Sequence, residues 1–143
     1  MNIRVLAATV AGGIVMCLVG WLLFGIIFMS YFQANTYQYA GLEKNPPDWI
    51  PLILFNLAFA WLIAFVFDFW ATIKTFVGGI KGGVLIMTPI GIALVLQQVA
   101  FINVYKSYLA MLLNIIIVVV IGAVAGGVIG LVLGMMHKKT DND

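Results

Sequence analysis

Charge is what this sequence has least of. Its 143 residues include only seven Lys or Arg and five Asp or Glu, whereas a water-soluble domain commits roughly a quarter of its residues to charge. Reactive side chains are as scarce. The one cysteine, Cys17, has no partner, which rules out a disulfide framework. The one histidine, His137, stands beside Lys138 and Lys139 rather than among other metal ligands. No Ser-His-Asp or Cys-His set and no Asn-x-Ser/Thr sequon is present. A formal net charge of +2 spread along the chain leaves no footprint for nucleic acid. The expectation is a protein without enzymatic chemistry, cofactor or metal.

What the chain does have is long uncharged runs, at 5–42, 49–67, 82–105 and 107–137. Each reaches the roughly 18 apolar residues that cross a bilayer. Hydrophobic residues make up 64% of the chain and its mean hydropathy is +1.16, so a water-soluble fold is excluded. The pattern predicts an all-α integral membrane bundle, one domain over 1–143, with four transmembrane helices at about 5–29, 49–70, 82–103 and 109–136. An outer loop at 33–48 and a polar tail at 137–143 complete it. The first run continues to about Phe32, too long for a cleavable signal, whose apolar region spans about 7–15 residues.

Four crossings put both termini on one face. That face would carry Arg4, Lys74, Lys81, Lys138 and Lys139, against Lys44 and Lys106 on the other. Basic residues favour the cytoplasmic side of short loops, so the prediction is N-in, C-in. Asp48 and Asp68 then belong to opposite faces, which excludes a paired-carboxylate mechanism. Asp48, after Pro46-Pro47, is placed to cap the second span, with Pro51 in its first turn. Residues 71–81 suit a short segment on the membrane surface, weakened as a helix by Gly78 and Gly79. Pro89 should kink the third span unless Thr88 and a neighbouring helix cover the freed carbonyl.

The last span carries Gly122, Gly126, Gly130 and Gly134, spaced by four and so along one helix face. Small residues let helices approach closely in lipid, where apolar expulsion does not drive them together. The first span has a shorter counterpart in Ala8, Gly12 and Gly20. Two readings stay open: the first and last spans pack on each other within one chain, or the last span drives self-association or docks on a partner.

Polar residues inside spans are costly and direct attention to function. Asp68 comes first, two residues before Trp70 near the inner end of the second span, where it can reach water or pair with Lys74. It reads either as interfacial or as an ion- or proton-coupling group. Asn56, Gln97, Gln98 and Asn114 lie at comparable depth toward the outer side. They read either as helix-to-helix hydrogen bonds or as a polar pocket for a small ligand or lipid headgroup. The aromatic loop with Tyr31, Phe32, Tyr37, Tyr39 and Trp49 is interfacial or a docking surface.

Gly20-Trp21 with Phe24-Gly25, the pairs Gly78-Gly79 and Gly82-Gly83, and the glycine-rich last span together resemble small four-helix bacterial membrane proteins of unknown function. The chain departs from that pattern at Trp21-Leu22, where such proteins often place a Trp-Tyr pair. The resemblance implies the fold and a bacterial cytoplasmic (inner) membrane, and no activity. Three functions remain in view. The first is a small membrane protein acting by helix association, as a homo-oligomer or accessory subunit of a larger membrane complex. The second is a transporter or channel component using Asp68, Gln97 and Gln98. The third is a protein that binds lipid or a small ligand at the amide cluster.

Overall fold

A computed structural model describes residues 2–41, 44 and 46–140, with the side chains of 138–140 excepted. Glu43 and Asn45 of the expected turn, and 141–143 of the expected tail, lie outside those residues. The chain runs α1 (Ile3–Leu22), a π-helical turn (Leu23–Ile27), α2 (Met29–Asn35), α3 (Trp49–Phe69), α4 (Phe76–Phe101) and α5 (Tyr108–Thr140). Four helices are long and apolar enough to cross a membrane: Ile3–Ile27, Trp49–Phe69, Phe76–Phe101 and Tyr108–His137. Outward-facing side chains such as Ile50, Leu85 and Leu109 are large and apolar, as hydrocarbon surroundings demand.

Three boundaries differ from the sequence reading. Residues 76–81 are not a surface connector but the first turns of α4. Thr75 caps them, its hydroxyl accepting from the Gly78 backbone N–H at 3.1 Å. α5 continues through His137 to Thr140, so part of the expected polar tail is helical. Asp48 does occupy the N-cap position of α3 but makes no capping hydrogen bond. Its carboxylate lies 3.7 Å from the Lys44 ammonium instead, an exposed pair of small energetic weight. α4 runs unbroken through Pro89, and the Thr88 hydroxyl donates to the Val84 carbonyl at 2.7 Å.

α5 is the hub, packed against α4 most extensively, then α1, and to a lesser degree α3. The glycine row explains the first of these contacts. A Cβ on Gly79 would strike the carbonyl of Gly126, and one on Gly126 the carbonyl of Gly79. A Cβ on Gly83 would likewise strike the carbonyl of Gly122, whereas one on Gly122 would meet the Met87 side chain first; Gly130 and Gly134 lie on the carbonyls of Thr75 and Lys74. The row is therefore covered within the chain by α4 and the residues just before it, not by α1. Two helix backbones touch along it, the arrangement that dispersion and close packing favour in lipid.

α1 uses glycine differently. Gly12 makes room for the Ile129 side chain of α5 and Gly13 for Leu57 of α3, so each receives a side chain from a different neighbour. The core beneath is apolar and includes Val5, Met16, Ile63, Phe67, Ile129 and Leu133. α3 and α4 touch sparsely, and Gly82 sits against the Phe67 ring. Arg4 Nη1 donates to His137 Nδ1 at 2.8 Å, which places the start of α1 and the end of α5 at one end of the bundle, called here the termini end.

Two glycines give opposite expectations. Gly83→Ala forces a methyl group onto backbone and should destabilise the fold by about 1–3 kcal/mol. At Gly20 the nearest atom to an added Cβ is Ile121 Cδ1 at 3.7 Å, so Gly20→Ala should change little. Thermal unfolding of the two variants in one detergent checks the contrast; equal midpoints would remove the backbone contact from the account.

Candidate functional site

Away from the termini end the four long helices line a partly open cavity of about 590 Å³, within the range of about 300–1,000 Å³ typical of small-molecule sites. Its floor is apolar: Met16 of α1, Met87 of α4 and Ile121 of α5. Its other end carries amides from three helices, Asn56 of α3, Gln98 of α4 and Asn114 of α5. Every described lining residue is uncharged.

Each element has a local reason for its place. In the π-helical turn the Phe28 backbone N–H donates to the Leu23 carbonyl at 2.9 Å, five residues back. Phe24 and Gly25 of that turn, with Gly20 and Trp21 before it, line the cavity. π-turns inside helices occur frequently at functional sites. On α3, Asn56 turns its Nδ2 back to the Leu52 carbonyl at 2.8 Å, satisfying the donor within the helix. That leaves its Oδ1 directed elsewhere, and the residue is only 9% exposed.

Gln98 and Asn114 are joined through Tyr105, in the turn between α4 and α5. The Tyr105 hydroxyl donates to Gln98 Oε1 at 2.9 Å and accepts from Asn114 Nδ2 at 2.7 Å. Burial pushes the Tyr105 phenol up from its ordinary 10.0, and the Asn114 hydrogen bond acts in the opposite direction. The phenol stays protonated at neutral pH and keeps donating.

Tyr105 is itself held by a clasp between two connections. The Tyr37 N–H donates to the Val104 carbonyl at 2.8 Å, and the Lys106 N–H to the Asn35 carbonyl at 2.9 Å. Thr36 and Tyr105 form an antiparallel bridge there. Lys106 Nζ donates to the Ala34 carbonyl at 3.1 Å and stands 5.6 Å from the centre of the Tyr37 ring. The Tyr39 hydroxyl donates to the Asn103 carbonyl at 2.8 Å. The aromatic loop thus ties the end of α2 to the turn between α4 and α5.

Of the four amides singled out in the sequence, three line one cavity. The fourth, Gln97, is exposed and outside it. Asp68 is not part of this site. It lies twelve residues beyond Asn56 on α3, about 18 Å along the axis, toward the termini end, and makes no ion pair with Lys74 among the described residues. The glycines Gly122, Gly126, Gly130 and Gly134 lie on the α4 contact, Gly12 lies on Ile129 and Ala60, and Gly20 faces the cavity. No group of three His, Cys, Asp or Glu side chains able to hold a metal occurs among the described residues.

Scans against protein-family models, curated proteins and solved structures each find no match to this chain.

The Tyr105 linkage predicts a pH dependence. The folded chain holds this proton more tightly than the unfolded one, so stability is unaffected by it below about pH 10 and falls as pH rises through the folded value. Tyr105→Phe should unfold at lower temperature than the parent at pH 8, and the gap should narrow above pH 10. A gap that widens with alkaline pH would contradict the assigned hydrogen bonds.

Proposed function

We propose that this chain is a non-enzymatic integral membrane protein that takes a small, largely apolar ligand from the bilayer into the four-helix cavity. The observation carrying this reading is the cavity itself, about 590 Å³ with an apolar floor and amides from three helices at its other end. Packed helix bundles leave few voids larger than water, and a volume of this size between Met16, Met87 and Ile121 is space that lipid or a ligand fills.

The charge distribution supports an N-in, C-in orientation, with Arg4, Lys74 and Lys81 on the cytoplasmic side of a bacterial inner membrane and the cavity opening toward the other leaflet. Assembly into a homo-oligomer or larger complex would use a face other than the glycine row, because α4 covers that row within the chain. Transport has less support, since Asp68 stands apart from Gln97 and Gln98.

Native mass measurement of protein extracted in gentle detergent tests the reading. The parent should carry a bound non-protein mass that Gly20→Phe, whose ring would occupy the cavity, fails to retain. A parent that is always bare, and whose unfolding temperature added lipids shift no more than they shift Gly20→Phe, would overturn it.

A further inference from the structure

Resting on the cavity as a ligand site, the geometry points to a narrower occupant: an uncharged, hydroxyl-headed, single-chain amphiphile, its head at Asn56, Gln98 and Asn114 and its chain toward Met16, Met87 and Ile121. We infer this from three observations about the lining.

The first concerns charge. An anionic head placed among these residues would have no cation beside it among the described residues, since none of the described lining residues is charged. An ion without a partner in such surroundings is disfavoured far more strongly than a neutral polar group. Lys106, the nearest cation of the clasp, is already engaged with the Ala34 carbonyl and the Tyr37 ring. Fatty carboxylates and phosphate heads are therefore selected against.

The second concerns hydrogen-bond sense. Asn56 spends its Nδ2 on Leu52, and its Oδ1 has no protein partner among the described residues. That residue is more than nine-tenths buried, yet no buried side-chain polar atom among the described residues is sealed off without a hydrogen bond. The Oδ1 therefore keeps accessible surface, and the residue that carries it lines the cavity. An open carbonyl oxygen asks for a donor. Gln98 spends its Oε1 on Tyr105, which leaves its Nε2 hydrogens to ask for an acceptor. A hydroxyl is both donor and acceptor, whereas an ester or ketone answers only Gln98.

The third concerns polarity along the cavity. Asn56 lies within the second turn of α3, Gln98 in the last turn of α4, and Asn114 in the second turn of α5. All three amides thus sit at the same end, and the residues deeper in the bundle are apolar. A molecule with one polar end fits that gradient in one orientation only.

Four probes with the same dibrominated acyl chain test the assignment: the monoacylglycerol, the methyl ester, the free carboxylate and the lysophosphatidylcholine. Bromine quenches tryptophan at short range, and Trp21 and Trp49 line the cavity. Full-length protein carrying Trp61→Phe and Trp70→Phe, in nanodiscs of unbrominated phosphatidylcholine, would report on those two alone. Expected is saturable quenching by the monoacylglycerol, weakened about tenfold by Asn56→Leu and, independently, by the exposed Gln98→Leu, each of which removes one hydrogen bond. The methyl ester should bind about tenfold more weakly and respond to Gln98→Leu only. The carboxylate and the phospholipid should give only the unsaturable quenching of a probe partitioned into the bilayer. Equal saturation by all four probes, or by the monoacylglycerol in both variants, would overturn the headgroup assignment and leave the cavity reading standing. No saturation by any probe would overturn both.

Discussion

The contact on which the other packing depends is backbone against backbone. Where Gly79 and Gly83 of α4 meet Gly122 and Gly126 of α5, the carbonyl of each helix occupies the space a methyl group would need on the other. In water, apolar side chains are driven together by the solvent they leave. In hydrocarbon that drive is absent, and what remains is the number of atoms brought into van der Waals range. Removing side chains from both faces maximises it. The contact sits in the termini half of α4, and α4 makes little contact with α3. Space is therefore left at the far half, and the cavity occupies it.

Glycine serves three different ends within one small protein. On α4 and α5 it brings backbones together. On α1, Gly12 and Gly13 receive whole side chains, Ile129 from one neighbour and Leu57 from another. At Gly20 the absent side chain faces the cavity. The same residue type thus tightens one interface, keys another and leaves a third open, according to what stands opposite.

Much of the architecture was legible before any coordinate. The four uncharged runs marked the four long helices, and the i, i+4 glycines marked a contact face, because span length and helical periodicity are local properties. Which helix lies on that face was not legible. Read alone, Gly79 weakens a helix and the pair Gly82-Gly83 is a hinge or a packing element; which helix Gly79 and Gly83 pack on is settled only when Gly122 and Gly126 are set opposite. The amides show the same divide. Asn56, Gln98 and Asn114 stood out as polar residues in apolar runs, but their convergence is a tertiary fact. Tyr105 reads in the sequence only as the mark of a short turn, because a tyrosine near a membrane surface is ordinary, and its role rests on two hydrogen bonds to residues seven before and nine after it.

The position of α5 at the hub has a consequence for how the chain is made. Chains emerge from the ribosome N-terminus first, so the helix that touches all three others is the last to arrive. Until then α1 and α3 can associate through Gly13 with Leu57 and Gly12 with Ala60, but Gly12 lacks the Ile129 side chain and α4 has no glycine partner. Closing the bundle is therefore a single late event, and a chain that stops short of residue 108 lacks its centre rather than merely its end.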